Sequence, residues 1–66
     1  MKQKDWINVK DRVPKTEDYV LACYKFKNKY FVILASYSHL TNLWYGDDGF
    51  DLEGVTHWMN IVLPND

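Results

Sequence analysis

Tyr19-Val20-Leu21-Ala22-Cys23-Tyr24-Lys25-Phe26-Lys27-Asn28-Lys29-Tyr30-Phe31-Val32-Ile33-Leu34-Ala35-Ser36-Tyr37-Ser38 is the stretch that decides the fold. Two runs rich in aromatic and β-branched residues, Tyr19–Lys27 and Tyr30–Ser38, flank Asn28-Lys29, which reads as a β-hairpin. Asparagine tolerates the positive φ that a tight two-residue turn demands. With the turn at Asn28-Lys29, Lys27 opposes Tyr30, Phe26 opposes Phe31, Tyr24 opposes Ile33, Ala22 opposes Ala35 and Val20 opposes Tyr37. One face then carries Val20, Ala22, Tyr24, Phe26, Phe31, Ile33, Ala35 and Tyr37, all apolar or aromatic. A three-residue Lys27-Asn28-Lys29 loop would set Phe31 against Lys25, because a slip of one residue exchanges the faces.

The opposite face of the hairpin holds a second apolar strip, Leu21, Cys23, Val32 and Leu34, bordered by Tyr19, Lys25, Tyr30, Ser36 and Ser38. A strip of that kind is too apolar to stand bare in water. Either other segments of the chain cover it, or a partner does, or a second copy does, the last giving a homodimer through this second hairpin face.

Outward from the hairpin the chain continues to read as strands and turns. On the N-terminal side, Trp6-Ile7-Asn8-Val9 is a short strand and residues 1–5 are a polar, frayed leader. Lys10–Asp18 is a charged connector in which Pro14 biases Val13 away from helix; a single helical turn from Pro14 is the one helical element the sequence allows. On the C-terminal side, Leu43-Trp44-Tyr45 is a strand, Gly46–Gly54 an acidic loop with Asp48-Gly49 as its turn signal, and Val55–Leu63 a last alternating strand closed by Pro64. The expected architecture is all-β, or α+β if that one helical turn forms. It is an antiparallel meander of about five short strands, curled around a Trp/Tyr/Phe core and filling residues 6–64 as a single domain.

Composition supports one small domain with a thin core. The chain has 66 residues, a net charge of −1 and one cysteine, so no internal disulfide staples it. Aromatic residues make up 17%, each able to bury about 150–250 Å². A pI near 6.0 argues against a generic nucleic-acid binder. The sequence offers neither a signal peptide nor an apolar run of about 18 residues, so the expectation is a cytoplasmic protein without a membrane span. The near-neutral total conceals polarity: residues 1–30 hold all eight Lys/Arg against four acids, a net of +4, and residues 31–66 hold five acids alone, a net of −5.

No residues assemble into a catalytic pattern. His39, His57 and Cys23 share no metal-ligand spacing, and Cys23 sits mid-strand without a neighbouring base. His57 reads as a hydrogen-bonded residue at the rim of the core. Asp47, Asp48, Asp51 and Glu53 lack the alternation of an EF-hand loop. No catalytic, metal or cofactor residue is therefore assigned. Lys25, Lys27 and Lys29 beside Tyr30 form the one basic-aromatic neighbourhood, and lysines at such a tip also guard against edge pairing.

Two boxes carry a family resemblance. Trp6-Ile7-Asn8-Val9-Lys10-Asp11-Arg12-Val13-Pro14 and Gly54-Val55-Thr56-His57-Trp58-Met59 resemble the defining boxes of the domain-of-unknown-function family numbered 551, short proteins met in bacteriophage and prophage genomes. The intervening layout also resembles the family, over residues 6–64. One departure is the tail: the family usually places a short apolar-Pro tail directly after the Met. Here Asn60-Ile61-Val62-Leu63 precedes Pro64, which implies a longer last strand. The family brings no catalytic residues with it. What the resemblance implies is a phage- or prophage-type accessory protein. Combined with the excess apolar strip, the expectation is a non-enzymatic protein-interaction module whose surface joins Leu21, Cys23, Val32 and Leu34 to Asp47, Asp48, Asp51 and Glu53. Its partner would be a host or phage protein. The rival expectation is a ligand-binding module that takes nucleic acid or oligosaccharide on an aromatic face.

Overall fold

The computed structural model describes residues 6–61 and Pro64. The expected frayed leader, residues 1–5, and the expected strand residues Val62 and Leu63 lie outside the described residues. Six antiparallel strands form one sheet: β1 (Ile7–Asn8), β2 (Val20–Phe26), β3 (Lys29–Ser38), β4 (Leu43–Gly46), β5 (Asp51–Leu52) and β6 (Val55–Met59). Among the described residues there is no helix, and so none long and apolar enough to cross a membrane. Lys15–Asp18 is a series of bends rather than the helical turn the sequence allowed.

The strand order is β1-β6-β2-β3-β4-β5. β2 to β4 meander as expected and β5 continues the meander, but β6 returns to lie between β1 and β2. Only Glu53 and Gly54 join β5 to β6, so Leu52 and Val55 are at most about 11 Å apart. Four inter-strand steps of about 4.8 Å would separate those strands by about 19 Å in a flat sheet. The sheet must therefore curl until its ends approach, with one face concave and the other convex. Ala35 marks the bend: it is paired with Val20 on one side and Gly46 on the other, whereas Lys29–Leu34 pair only with β2 and Ser36–Ser38 only with β4. A bulge adds Thr56 to β6 opposite the Cys23–Tyr24 step, strengthening the twist.

The concave face holds the core. Val20, Ala22, Ala35, Trp44 and Trp58 are buried, with Ile7, Val9, Val13, Tyr37, Leu52 and Val55 packed against them. Tyr37 meets Trp44 edge-on at 5.3 Å. The connector between β1 and β2 closes this face: Trp58 Nε1–H donates to the Arg12 carbonyl at 2.9 Å, and His39 Nε2–H to the Pro14 carbonyl at 2.7 Å.

Three sequence expectations need correction. First, the hairpin turn is two residues long but sits at Lys27-Asn28, both at positive φ (52° and 66°), so Phe26 pairs with Lys29, Tyr24 with Phe31, Ala22 with Ile33 and Val20 with Ala35. The shift keeps every side chain on its expected face. It also avoids setting Ala22 against Ala35, two of the smallest side chains, and instead alternates small with large across the strands. Second, the core is smaller than the hairpin face. Phe26 and Phe31 are 57% and 41% exposed because the hairpin tip runs past the ends of its neighbours. Third, the acidic loop contains β5, and β6 ends at Met59 rather than Leu63.

Candidate functional site

Alternation along β2 and β3 sends Leu21, Cys23, Val32 and Leu34 to the convex face. Cross-strand pairing sets Leu21 against Leu34 and Cys23 against Val32, with Met59 and His57 of β6 on the far side of β2. Of the outcomes open at the level of sequence, coverage by other segments does not occur among the described residues. Val32 is 52% and Leu34 39% exposed, while Leu21 and Cys23 are half-buried by their neighbours.

The four acids divide. Asp47 N–H donates to the Leu34 carbonyl at 3.1 Å, carrying the ladder one residue beyond Gly46 and fixing the acidic turn to the end of the apolar strip. Asp51 pairs with Tyr45, which pairs with Ser36, so it too belongs to the convex face. Asp48 is turned back on its own loop, its Oδ1 accepting from Phe50 N–H at 3.0 Å. Glu53 stands exposed on the β5–β6 connection. The structure thus joins Leu21, Cys23, Val32, Leu34, Asp47 and Asp51 into one side of the sheet and leaves Asp48 and Glu53 at its margin.

A shallow depression of about 380 Å³ opens on the same side, lined by Trp6, Cys23, Tyr30 and His57. Trp6 and His57 were not among the expected surface residues, although the signal was present: Ile7 points inward opposite Trp58, so its neighbour Trp6 points outward. His57 is hydrogen-bonded as expected, but it stands on the convex face rather than at the rim of the core. Thr56 Oγ1–H donates to the Cys23 carbonyl at 3.4 Å, which leaves its oxygen to accept from His57 Nδ1–H at 2.9 Å. Lys25 Nζ lies 5.6 Å from the centre of the Tyr30 ring. Among the described residues, no three His, Cys, Asp or Glu side chains come together as metal ligands.

The two sequence boxes prove to be one structural unit. Ile7 pairs with Trp58 and Asn8 with His57, Val9 N–H donates to the Thr56 carbonyl at 3.0 Å, and the Trp58 indole reaches Arg12. Comparison with known proteins agrees with that pattern: the model of a family described as "Protein of unknown function (DUF551)" matches residues 5–65. No curated protein and no solved structure matches the chain.

Proposed function

Since the chain belongs to the DUF551 family, whose description names no activity, we propose a function from the surface itself: a non-enzymatic module that binds another protein through its convex face. The observation that carries this reading is the strip of Leu21, Cys23, Val32 and Leu34, which the described residues leave exposed at Val32 and Leu34, with the Asp47 turn bonded to its end. An apolar centre with a charged border is the anatomy of a protein contact. Following the resemblance to phage and prophage proteins, the partner is a host or phage protein in the cytoplasm, and the acidic border favours a partner with basic residues around an apolar patch. Affinity capture from a bacterial host lysate, run in parallel with a Leu21→Ser/Leu34→Ser variant, tests it. A partner retained by the parent chain and lost by the variant supports the reading. No partner, or one held equally by both, overturns it.

The depression between Trp6 and Tyr30 favours a second reading, a ligand-binding module whose rings stack on a base or sugar with Lys25 beside them. A thermal-shift screen of oligonucleotides and oligosaccharides separates the two, with a Trp6→Ala control for stacking.

A further inference from the structure

The order of the sheet leaves one strand half-paired. β3 runs from Lys29 to Ser38, but β4 lies beside only its last part, Ala35–Ser38. In a two-residue hairpin the residues next to the turn form a hydrogen-bonded pair, here Phe26 and Lys29. Lys29, Phe31 and Ile33 therefore direct their N–H and C=O groups at β2, and Tyr30, Val32 and Leu34 direct theirs the other way. The Leu34 carbonyl confirms the phase, since it accepts from Asp47. Among the described residues nothing meets the N–H and C=O groups of Tyr30 and Val32. The side chains along this edge are large and open to solvent: Tyr30 62%, Phe31 41% and Val32 52% exposed. Proteins ordinarily blunt such an edge or pair it.

We propose that a second copy of this chain pairs along this edge, β3 against β3, antiparallel about a two-fold axis at Phe31. Tyr30 of each copy then exchanges both backbone hydrogen bonds with Val32 of the other, and the two Phe31 side chains face each other across the axis. Two features select a second copy over an unrelated strand. One is length. The lane open beside β3 ends where Asp47 bonds to Leu34, and a second β3 laid in that lane reaches its own Lys27-Asn28 turn at the same point, so neither overruns. The other is charge. Lys29 of each copy shares the concave side with Phe26 and comes opposite Ile33 of the other copy, beside which the Asp48 carboxylate lies over Gly46, so that the lysine-bearing tip of each meets the acidic turn of the other twice by symmetry. The pairing goes beyond the contact reading of the convex face and does not depend on it, because it uses backbone groups at the edge; Leu21→Ser/Leu34→Ser leaves them in place.

Sedimentation velocity over a micromolar-to-millimolar concentration series tests the proposal. A monomer–dimer equilibrium is expected, weakening as salt is raised because the tip-to-turn contacts are screened. Val32→Pro should abolish the dimer, since it deletes an N–H directed at the free edge and none directed at β2. Should Val32→Pro fail to fold by circular dichroism, Lys29→Glu decides instead: it should lose the dimer, and adding Asp48→Lys to the same chain should restore it. Register is read by oxidation in a Cys23→Ser background, where Phe31→Cys should give a covalent dimer and Ser36→Cys should not, a facing non-hydrogen-bonded pair being close enough for a disulfide. A monomer at every concentration, as an unrelated peptide occupant would leave it, overturns the proposal. So does a dimer indifferent to these substitutions.

Discussion

Trp58 and Arg12 are joined by a single hydrogen bond, from the indole Nε1–H to a main-chain carbonyl at 2.9 Å. It ties the connector after β1 to the strand that β1 pairs with, and so closes the concave face over the core. Trp58 is 5% exposed and the bond is partly buried, so its loss leaves the Arg12 carbonyl without its partner where water reaches only in part. Trp58→Phe should cost about 2 kcal/mol through the unmet carbonyl and the space left behind. For a chain of this size, whose whole stability is about 3–10 kcal/mol, urea denaturation should show a plainly lower midpoint. An unchanged midpoint would mean that the bond contributes nothing net.

Gly54 and Gly49 both have positive φ, 83° and 89°, but their surroundings differ. A Cβ on Gly54 would stand 2.7 Å from the Lys25 carbonyl oxygen, whereas one on Gly49 would meet nothing within 4 Å. Gly54 must also bring its own carbonyl to Lys25 N–H, at 3.0 Å. Gly49→Ala should cost about 1 kcal/mol for the backbone conformation alone. Gly54→Ala should cost clearly more and loosen the β2–β6 pairing. Equal melting temperatures for the two variants would refute the close approach.

The Lys27-Asn28 turn places two non-glycine residues at positive φ, each at a cost of about 1 kcal/mol. Lys27→Asn/Asn28→Gly supplies the residue types this turn favours and should raise the melting temperature. The alternative turn at Asn28-Lys29 would also accept Gly at its first position, so Lys27→Asn alone discriminates: it should stabilise the observed turn, whereas in the alternative register residue 27 lies in the strand, where Asn is disfavoured and the melting temperature would fall. A fall in melting temperature would contradict the observed register.

Calcium should leave the melting temperature unchanged at millimolar concentration. Asp48 Oδ1 already accepts from Phe50 N–H, and Asp51 is held in a strand pair with Tyr45, so the acids do not converge. A rise with calcium would require the turn to reorganise.

The hairpin faces were legible from the alternation of apolar residues, because a period of two assigns each side chain to a side irrespective of its partner. Register was less so. Both turn positions preserve the faces, and the choice between them rests on how Ala22 and Ala35 interlock with Ile33 and Val20 across the strands. The return of β6 beside β2 was not legible, since Val55–Met59 alternates in the same way whichever strand it joins. β5 escaped notice because it is two residues long and owes its pairing to Trp44 and Tyr45. The apolar strip was legible as the second face of the hairpin, but its neighbours Trp6 and His57 come to it only through the β1–β6 ladder. The half-paired edge of β3 follows from the length of β4, which no local pattern announces.

The central claim is that the convex face, which the described residues leave exposed at Val32 and Leu34, is not covered by the chain itself. The direct measurement is paramagnetic relaxation of methyl groups by a soluble, inert probe, recorded by nuclear magnetic resonance on dilute protein. Strong enhancement at Val32 and Leu34, with Val20 protected, is the predicted result. Protection of Val32 and Leu34 to the level of Val20 would show that the chain covers this face itself, and would contradict the account.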